Sequence, residues 1–260
     1  MASLKIVTFN IRTLYSNPID GVNSFIHRAG LILETLRQKN PHVVCFQEVS
    51  PQIREFLDRY LTDYHLVGHG RLADYSGEGL AIAYRKDTMN LLGLENFWLS
   101  PTPNVPGSRY EIQSEYPRLC TCALLKHRDI PQPVKFYNVH LDHESDQARI
   151  LGIRQILEKV DRDHSPFPTF IMGDFNARAD SETITYCKEY KSYPIVDLTA
   201  DSGITFHAFG QKTEYIKIDY IFADAETAKR SHTAEKWEDC LHGIYLSDHY
   251  PLCCQIEMGE

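Results

Sequence analysis

Acidic, amide and imidazole side chains recur in this sequence within or directly after short apolar runs. Asn10 and Glu48 follow two of these runs, and Asp174 with Asn176 follows another. The remaining members of the set are His140, Asp219, Asp248 and His249. Carboxylate and amide oxygens are the ligands that hard divalent cations such as Mg²⁺ take in proteins. A histidine beside them is suited to proton transfer or to stabilising a transferring phosphoryl group, so the set indicates metal-assisted chemistry on a phosphate.

Each of these residues alone has an ordinary structural explanation. An asparagine after a strand is usually a turn residue, and an acid there is usually a solvated cap. Strand ends at one edge of a sheet are nevertheless where a rigid backbone holds functional side chains. A carboxylate beside a histidine fixes the tautomer of the imidazole and raises its pKa, and Asp219 with His249 is the candidate pair.

The apolar runs that carry these residues are predicted to be β-strands, because they are short and rich in β-branched residues. Their approximate bounds are 5–11, 42–49, 79–85, 118–125, 134–141, 169–172, 217–223 and 251–256. Apolar residues at helical spacing predict helices over about 22–39, 50–60 and 145–162. Many apolar strands with a few interposed helices favour two packed sheets with the helices outside, in one domain that spans residues 1–260.

The composition narrows the class of substrate. The formal net charge is −8, whereas proteins that grip long nucleic acids usually present a basic face, because released counterions drive that binding. A small or local phosphate substrate is therefore favoured over a broad DNA-wrapping surface. Seven cysteines without the paired CxxC spacings of a zinc site predict buried thiols in a reducing compartment. No run approaches the roughly 18 apolar residues of a membrane-spanning helix, and we expect a cytoplasmic monomer.

Six short motifs resemble, in the same order, those of the endonuclease/exonuclease/phosphatase superfamily. They are Phe9-Asn10-Ile11, Gln47-Glu48-Val49, Asn138-Val139-His140-Leu141, Gly173-Asp174-Phe175-Asn176, Ile218-Asp219-Tyr220-Ile221 and Ser247-Asp248-His249. That superfamily includes pancreatic-type deoxyribonuclease, apurinic-site endonuclease, neutral sphingomyelinase and poly(A)-tail deadenylases, and the compact length is most similar to its small bacterial-type members. The resemblance implies the α/β class and a four-layer α/β sandwich, in which two packed, mostly antiparallel β-sheets are flanked by helices.

The resemblance also implies a role for each residue of the metal and water site. Glu48 would bind Mg²⁺ or Mn²⁺, with Asn10 and Asp248 beside it. Asp174 would orient or deprotonate the attacking water, or bind a second metal ion. Asn176 would hold a phosphate oxygen, and water would attack in line without a covalent enzyme intermediate.

Two histidines complete the site that the resemblance implies. His249, held by Asp219, would stabilise the pentavalent transition state. His140 would do so from the other side or would protonate the leaving oxygen. Arg12 stands where some nucleases of the superfamily have an acid, which puts a second metal position in doubt and adds a possible phosphate contact.

Four further residues are candidates for substrate contacts, on weaker grounds. They are Arg118, Glu78, His207 and His143. Arg118 begins a predicted strand, where an arginine either clamps a phosphate or forms a surface ion pair. Glu78 lies between two glycines, and His207 lies in a loop before Asp219. His143 follows His140 closely and is placed to reach the substrate.

The sequence leaves three classes of function open. The first is a metal-dependent hydrolase of a phosphodiester or phosphomonoester, acting on a small molecule or a short nucleic acid. The second is a nuclease acting on DNA or RNA, which requires a basic groove beside Asp174. Candidates for that groove are Arg12, Arg71, Arg109, Arg118 and Lys212. The third is a non-catalytic binding module, and the six complete motifs argue against it.

Overall fold

The computed structural model of the chain describes residues 2–15, 19–163, 166–212, 214 and 216–259. Most of its strands form two six-stranded sheets. The strands of the first sheet, in spatial order, are β11 (His232–Lys236), β14 (Leu252–Glu257), β1 (Ser3–Asn10), β2 (Val43–Val49), β4 (Gly79–Arg85) and β3 (Tyr64–Val67). The strands of the second sheet are β5 (Met89–Trp98), β6 (Leu119–His127), β7 (Val134–His140), β8 (Thr169–Asp174), β10 (Asp219–Asp224) and β9 (Ile195–Asp197).

The helices and a short hairpin complete the described elements. The helices are α1 (Phe25–Lys39), α2 (Pro51–Tyr60), α3 (Asp146–Asp163), α4 (Glu182–Glu189) and α5 (Ala225–Ala228), with one 3₁₀ turn over Gly21–Asn23. The hairpin pairs β12 (Cys240–Leu241) with β13 (Ile244–Tyr245). Within residues 2–15, 19–163, 166–212, 214 and 216–259, no helix is long and apolar enough to cross a membrane.

The two sheets share one pairing scheme. Each has a single parallel pair at its centre, β1 with β2 and β7 with β8, and every other pair is antiparallel. A parallel pair needs a long crossover, and α1 and α3 supply it in the two sheets. Since parallel strands end at the same edge, the last residues of β1 and β2 lie together, as do those of β7 and β8.

The core has three apolar layers that alternate with the secondary structure. Between the sheets lie inward-facing side chains such as Ile6, Phe136 and Met172. Helix α1 packs Ile32 on the outer face of the first sheet, and α3 packs Ile153 on the outer face of the second. The order helix, sheet, sheet, helix is the predicted four-layer α/β sandwich, and the predicted fold class is confirmed.

A buried polar link joins the two sheets beneath the edge where the central strands end. Gln47 Nε2 donates a hydrogen bond to Asn138 Oδ1 at 2.8 Å, and Asn138 Nδ2 donates to the main-chain oxygens of Phe46 and Ala81. Neither side chain is exposed. Asn138 therefore fixes how the sheets face each other, because an unpaired amide at this depth would lose its hydration without compensation.

The observed elements differ from the sequence-based expectations in the start of one helix and in several elements that were not predicted. The first helix begins at Phe25 and not at about residue 22; Val22 and Ile26 are 67% and 75% exposed, so they do not belong to its buried face. The sequence did not predict the edge strands of the two sheets, which are β3, β5, β9 and β11. It also did not predict α4, α5 and the β12–β13 hairpin. The seven cysteines are free thiols and six of them are buried, as expected.

Candidate active site

Asn10 is the point at which polar side chains of the two sheets meet. Its Nδ2 atom lies 3.0 Å from Glu48 Oε1 and 2.9 Å from Asp174 Oδ2. The same atom lies 3.5 Å from His249 Nε2. Asn10 and Glu48 stand on the first sheet and Asp174 on the second, so the amide spans the sandwich at one edge. We call the following residues the site cluster: Asn10, Glu48, His140, Asp174, Asp219 and His249.

Glu48 is held in an unusual backbone conformation at the end of β2. Its φ is 60°, and the pairing of β2 with β4 is irregular between Phe46 and Val49. Strained backbone of this kind persists where the surrounding structure holds it, and it is common at functional sites. Burial alone would raise the pKa of Glu48, but hydrogen bonds from the Thr13 main chain and from Asn10 outweigh burial and lower it. Glu48 is therefore a charged carboxylate.

Asp219 and His249 form the carboxylate–imidazole pair that the sequence predicts. Asp219 is the first residue of β10 and pairs with Asp174, the last residue of β8. His249 Nδ1 lies 2.9 Å from Asp219 Oδ2, and both side chains are buried. Burial lowers the pKa of His249, but Asp219 and the nearby carboxylates Asp174 and Asp248 outweigh burial and raise it to about 10. His249 is therefore a cation at neutral pH.

His140 has the opposite charge state. Its Nε2 atom lies 3.6 Å from Asp174 Oδ2. Burial, followed by the positive charges of Arg118 and Arg71, lowers the pKa of His140 well below its usual value. The site cluster thus contains one charged and one neutral histidine, both within 4 Å of the same carboxylate of Asp174.

Asp174 is the most crowded carboxylate of the site cluster. Burial and the neighbouring Asp219 raise its pKa to about 7, although His249 and hydrogen bonds from Asn176 and Asn10 oppose the rise. A carboxylate with this pKa exchanges a proton readily at neutral pH, which is a property of general bases. A bound cation would relieve the same crowding.

The Gly173-Asp174-Phe175-Asn176 segment needs its glycine for a steric reason. A Cβ on Gly173 would lie 1.9 Å from the carbonyl oxygen of Val139 on β7, so only glycine lets β8 approach this closely. The turn that follows places Asn176 at φ 49°. The Asn176 main-chain N–H donates to Asp174 Oδ1 at 2.8 Å, and its Nδ2 donates to the Leu141 carbonyl at 3.1 Å.

Arg12 and Asp248 lie on the first-sheet side of the site cluster. The Arg12 guanidinium forms two hydrogen bonds to Asp20, and its Nη1 lies 3.4 Å from Asp248 Oδ2. The aromatic ring of Tyr15 lies beside Arg12, with its centroid 4.8 Å from the guanidinium carbon. Arg12 therefore neutralises Asp248 and Asp20 at this side, and burial and Glu48 raise the pKa of Asp248 despite the opposing charges of His249 and Arg12.

The residues present suit a hard divalent cation. Glu48 and Asp174 both bring a carboxylate oxygen to within 3.0 Å of one Asn10 nitrogen. Burial, followed by the charge of Asp219, raises the pKa of Asp174, and a cation would oppose both effects. A second group of possible ligands is Asp174, Asp219 and His249, whose candidate ligand atoms lie within 4.8 Å of one another. In that group one ligand atom of Asp219 and one of His249 already form a hydrogen bond with each other. The oxygens of Glu48 and Asp174 are therefore better suited to bind a hard divalent cation.

The four predicted substrate contacts fall into different environments. Arg118 is only 5% exposed; its Nη2 lies 3.1 Å from His143 Nδ1, and its nearest carboxylate, Asp142, is 3.9 Å from its Nε. Its Nε has no hydrogen-bond partner among the described residues. Arg118 therefore does not form a surface ion pair, which was the alternative to its predicted role as a phosphate contact. His143 is partly exposed beside it, and Glu78 is paired with Arg71 at 2.7 Å.

His207 is the most buried of the four predicted contacts. It is 2% exposed, and its ring stacks on Tyr250 with centroids 3.8 Å apart. Its main-chain N–H donates to the Asp248 carbonyl, and its Nδ1 accepts from the Gly210 N–H. His207 packs behind the segment that carries Asp248 and His249, and its role as a substrate contact stays a prediction.

Two buried cations support the site cluster and were not singled out from the sequence. Arg28 on α1 donates to the carbonyls of Ile11, Arg12, Asn23 and Leu246, which lie in the loops before and after the first-sheet part of the site. Lys217 Nζ lies 3.1 Å from Asp197 Oδ2 and 3.1 Å from the Asp219 carbonyl. Helical spacing identifies the α1 face that carries Arg28, but no local pattern identifies its partners.

A four-layer α/β sandwich with carboxylates and histidines from both sheets at one edge is the architecture of a class of phosphoester-hydrolysing enzymes. The model of the Endonuclease/Exonuclease/phosphatase family matches residues 7–249, and the chain belongs to that family. The protein is thus a hydrolase of phosphoester bonds, and the predicted family and enzyme class are confirmed.

Solved structures share this fold over almost the whole chain. An endonuclease/exonuclease/phosphatase from Bacteroides vulgatus is 25% identical with a TM-score of 0.89, and the match covers 100% of both chains. A functionally unknown conserved protein from Enterococcus faecalis is 27% identical with a TM-score of 0.85, covering 98% of this chain and 100% of that one. A mannosyl-6-phosphatase from Bacteroides thetaiotaomicron is 21% identical with a TM-score of 0.80, covering 98% and 99%.

Proposed function

We propose that this protein is a divalent-metal-dependent phosphoesterase that hydrolyses a phosphodiester or phosphomonoester by in-line attack of water. One observation carries the proposal: the Asn10 amide bridges Glu48 and Asp174, which brings hard oxygen donors from both sheets to one point. The ion would be Mg²⁺ or Mn²⁺, with Glu48 as its main ligand and Asn10 and Asp248 beside it. When bound, it would supply a Lewis acid that offsets the negative charge of the phosphate.

The charge states of the site cluster support a distinct role for each residue. Asp174 would accept a proton from the attacking water, because its pKa of about 7 suits a base at neutral pH. His249 would stabilise the charge that develops on the phosphoryl oxygens, since Asp219 keeps it protonated. Asn176 has a second amide hydrogen beyond the one given to Leu141, and this would hold a phosphate oxygen.

The neutral state of His140 favours one of the two roles that the sequence left open. A neutral imidazole has one N–H to donate and no proton to release at neutral pH. Because burial, Arg118 and Arg71 lower the pKa of His140, we propose that it orients a phosphoryl oxygen and does not protonate the leaving oxygen. The proton that Asp174 takes from the attacking water would reach the leaving oxygen through solvent. Arg118 would bind a phosphoryl oxygen beside it, because its buried guanidinium has no carboxylate within hydrogen-bond distance.

The arginines that a nuclease would need are largely committed elsewhere. Arg12 is neutralised by Asp20 and Asp248, and Arg71 by Glu78. Arg109 donates to the main-chain carbonyls of Gln113 and Ser114. Lys212 lies over the Phe206 ring. These contacts and the net charge of −8 support a small or local substrate over a long nucleic acid. The partly exposed His143 would contact that substrate.

Three broader properties belong to the same proposal. Residues 1–260 would act as a single catalytic domain, since motifs from both ends of the chain meet in the site cluster. The protein would work as a monomer in the cytoplasm, where a reducing environment keeps its buried thiols free.

Hydrolysis of a broad phosphoester panel, with and without Mg²⁺ or Mn²⁺, tests the proposed function. We expect metal-stimulated release of alcohol or phosphate by the wild-type protein and its loss in Asp174→Ala. A matched control is Asp129→Ala, because Asp129 is an exposed residue outside the site cluster. Equal rates with and without metal, or an Asp174→Ala variant as active as the control, would contradict the proposal.

A further inference from the structure

Arg12 lies between two largely buried carboxylates at the first-sheet side of the site cluster. Its Nε donates to Asp20 Oδ2 at 3.2 Å and its Nη2 donates to Asp20 Oδ1 at 3.1 Å, which is the two-point contact of a guanidinium with a carboxylate. Its Nη1 lies 3.4 Å from Asp248 Oδ2. The Asp20 and Asp248 side chains are 10% and 5% exposed. One guanidinium therefore bridges two acids that would otherwise repel each other away from solvent.

The main chain holds Arg12 in this place. Its φ is 59°, a left-handed conformation that is uncommon for arginine and persists where the surroundings hold it. Its N–H donates to Asn10 Oδ1 at 3.1 Å, and its carbonyl accepts from the buried Arg28 Nη2 at 3.0 Å. The Tyr15 ring centroid lies 4.8 Å from its guanidinium carbon. Arg12 is therefore a built part of the site, and not a surface side chain that happens to meet an acid.

Arg12 occupies the position that a second divalent ion would need on this side of the site. The next residue, Thr13, donates its main-chain N–H to Glu48 Oε2 at 2.9 Å, so the Arg12 segment adjoins the proposed metal ligand. A second hard cation beside Glu48 would take carboxylate oxygens from Asp20 and Asp248. The guanidinium already contacts three of their four oxygens, and it cannot give up its charge. A divalent ion at these acids would therefore have to displace Arg12.

On the second-sheet side a second ion would meet a similar obstacle. His249 Nδ1 lies 2.9 Å from Asp219 Oδ2, and its Nε2 lies 3.8 Å from Asp174 Oδ2. An ion held by these three residues would have to break the contact between His249 and Asp219. Glu48 and Asp174 approach the same Asn10 nitrogen from the two sheets, and their oxygens meet a neutral amide there. This leaves one position for a divalent ion.

We infer that Arg12 is a resident cation, meaning a protein cation fixed where a metal ion could bind, and that it excludes a second divalent ion from Asp20 and Asp248. The site cluster then takes a single divalent ion, at Glu48 and Asp174. The inference rests on the proposed function for that single ion. It adds the number of metal ions and names the residue that sets it.

Counting bound Mn²⁺ ions tests the inference without depending on turnover. Calorimetry and electron paramagnetic resonance are applied to wild type, Arg12→Asp and Arg128→Asp. We expect about one Mn²⁺ per chain in the wild type and about two in Arg12→Asp, because the change releases Asp20 and Asp248 and adds a third carboxylate. Aspartate also tolerates the left-handed φ of this position. Arg128 is exposed and paired with Asp129 outside the site cluster, so Arg128→Asp should bind as the wild type does.

Two further variants keep the outcome decisive. Arg12→Lys retains a positive charge and should bind the wild-type number of ions. Arg12→Gln releases both acids without adding a third, should gain an ion, and replaces Arg12→Asp if circular dichroism shows that Arg12→Asp is unfolded. More than one Mn²⁺ in the wild type, with spin coupling between the ions, overturns the inference, as does a folded Arg12→Asp or Arg12→Gln variant that gains no ion. Absence of bound Mn²⁺ in the wild type, with an ion gained by Arg12→Asp, contradicts the proposed function alone.

Discussion

His249 Nδ1 lies 2.9 Å from Asp219 Oδ2, and this bond joins the two sheets at the edge that carries the site cluster. Asp219 begins β10 in the second sheet, whereas His249 lies in the loop that leads into β14 of the first sheet. The carboxylate fixes both the orientation and the charge of the imidazole, because it raises the pKa of His249 to about 10 against the effect of burial. Activity at alkaline pH should therefore depend on Asp219.

Asp219→Asn should lower kcat by about 10³-fold or more, since an amide neither holds the imidazolium nor selects its tautomer. The alkaline limb of the pH–rate profile should also move to lower pH, because the pKa of His249 loses its main source of elevation. Steady-state kinetics between pH 6 and 10 provide the measurement, with Glu226→Gln as control because the Glu226 side chain on α5 is exposed. An Asp219→Asn profile with the wild-type alkaline limb would show that another group sets it.

The same pair makes the stability of the fold depend on pH. The folded pKa of His249 is raised to about 10 from the usual value of 6.5. Its contribution to the free energy of unfolding is therefore fully present below about pH 6.5 and is lost as the pH rises through about 10. Urea unfolding of the metal-free proteins should give a higher free energy of unfolding for wild type than for His249→Gln at pH 6. This difference, here called the gap, should narrow toward pH 10. A gap that widens over this range would contradict the assignment.

Glu48→Gln should weaken Mn²⁺ binding by about tenfold or more, because it removes the charged oxygen donor that the Thr13 N–H and Asn10 hold in place. The fold should remain, since the amide keeps the size of the side chain. Calorimetric titration with Mn²⁺ measures the effect, and Glu34→Gln on the exposed face of α1 is the matched control. Equal Mn²⁺ affinity in the two variants would move the metal ligands toward the Asp174, Asp219 and His249 group.

The sequence predicts the members of the site cluster because each stands at or near the end of its own strand. Asn10, Glu48 and Asp174 are identified by a local pattern, in which a few apolar residues of a strand are followed by a polar residue. Their mutual distances follow from the pairing scheme, since parallel pairs end at the same edge. The resemblance in motif order supplied the roles that strand ends alone do not.

Other parts of the site depend on contacts that no local pattern encodes. The sequence predicts only that Arg28 lies on a helix. In the structure Arg28 donates a hydrogen bond to the carbonyl of Leu246, 218 positions away. His207 is predicted at the substrate because it lies in a loop before Asp219, and no local pattern shows that its buried ring stacks on Tyr250. The short strands β3, β9 and β11 form edges, where half of the backbone groups face away from the sheet and selection for apolar alternation is weak.

Arg28→Met should lower the free energy of unfolding by about 3 kcal/mol or more, because four main-chain carbonyls lose their donor in the interior. Two of those carbonyls belong to Ile11 and Arg12, beside Asn10, so the variant should also bind Mn²⁺ more weakly. Urea unfolding and calorimetry measure the two effects. The control is Arg37→Met, because Arg37 gives a single exposed hydrogen bond to the Tyr60 carbonyl. A similar stability for both variants would show that water replaces the Arg28 contacts.

Gly173→Ala should lower kcat/KM by about 10²-fold or more while leaving most of the fold intact. The new Cβ would lie 1.9 Å from the Val139 carbonyl oxygen, so β7 and β8 must separate at this point. His140 pairs with Asp174 directly after it, and a shift there alters the distance between the neutral histidine and the carboxylate. A misplacement of about 1 Å in such a site costs on the order of 10²-fold in rate. Gly93→Ala on β5 is the matched control, since its nearest contact is an ordinary 3.7 Å to Leu124. Circular dichroism with kcat/KM for both variants decides the matter: full activity in Gly173→Ala would mean that the parallel pair tolerates separation and that the site is not set by this contact.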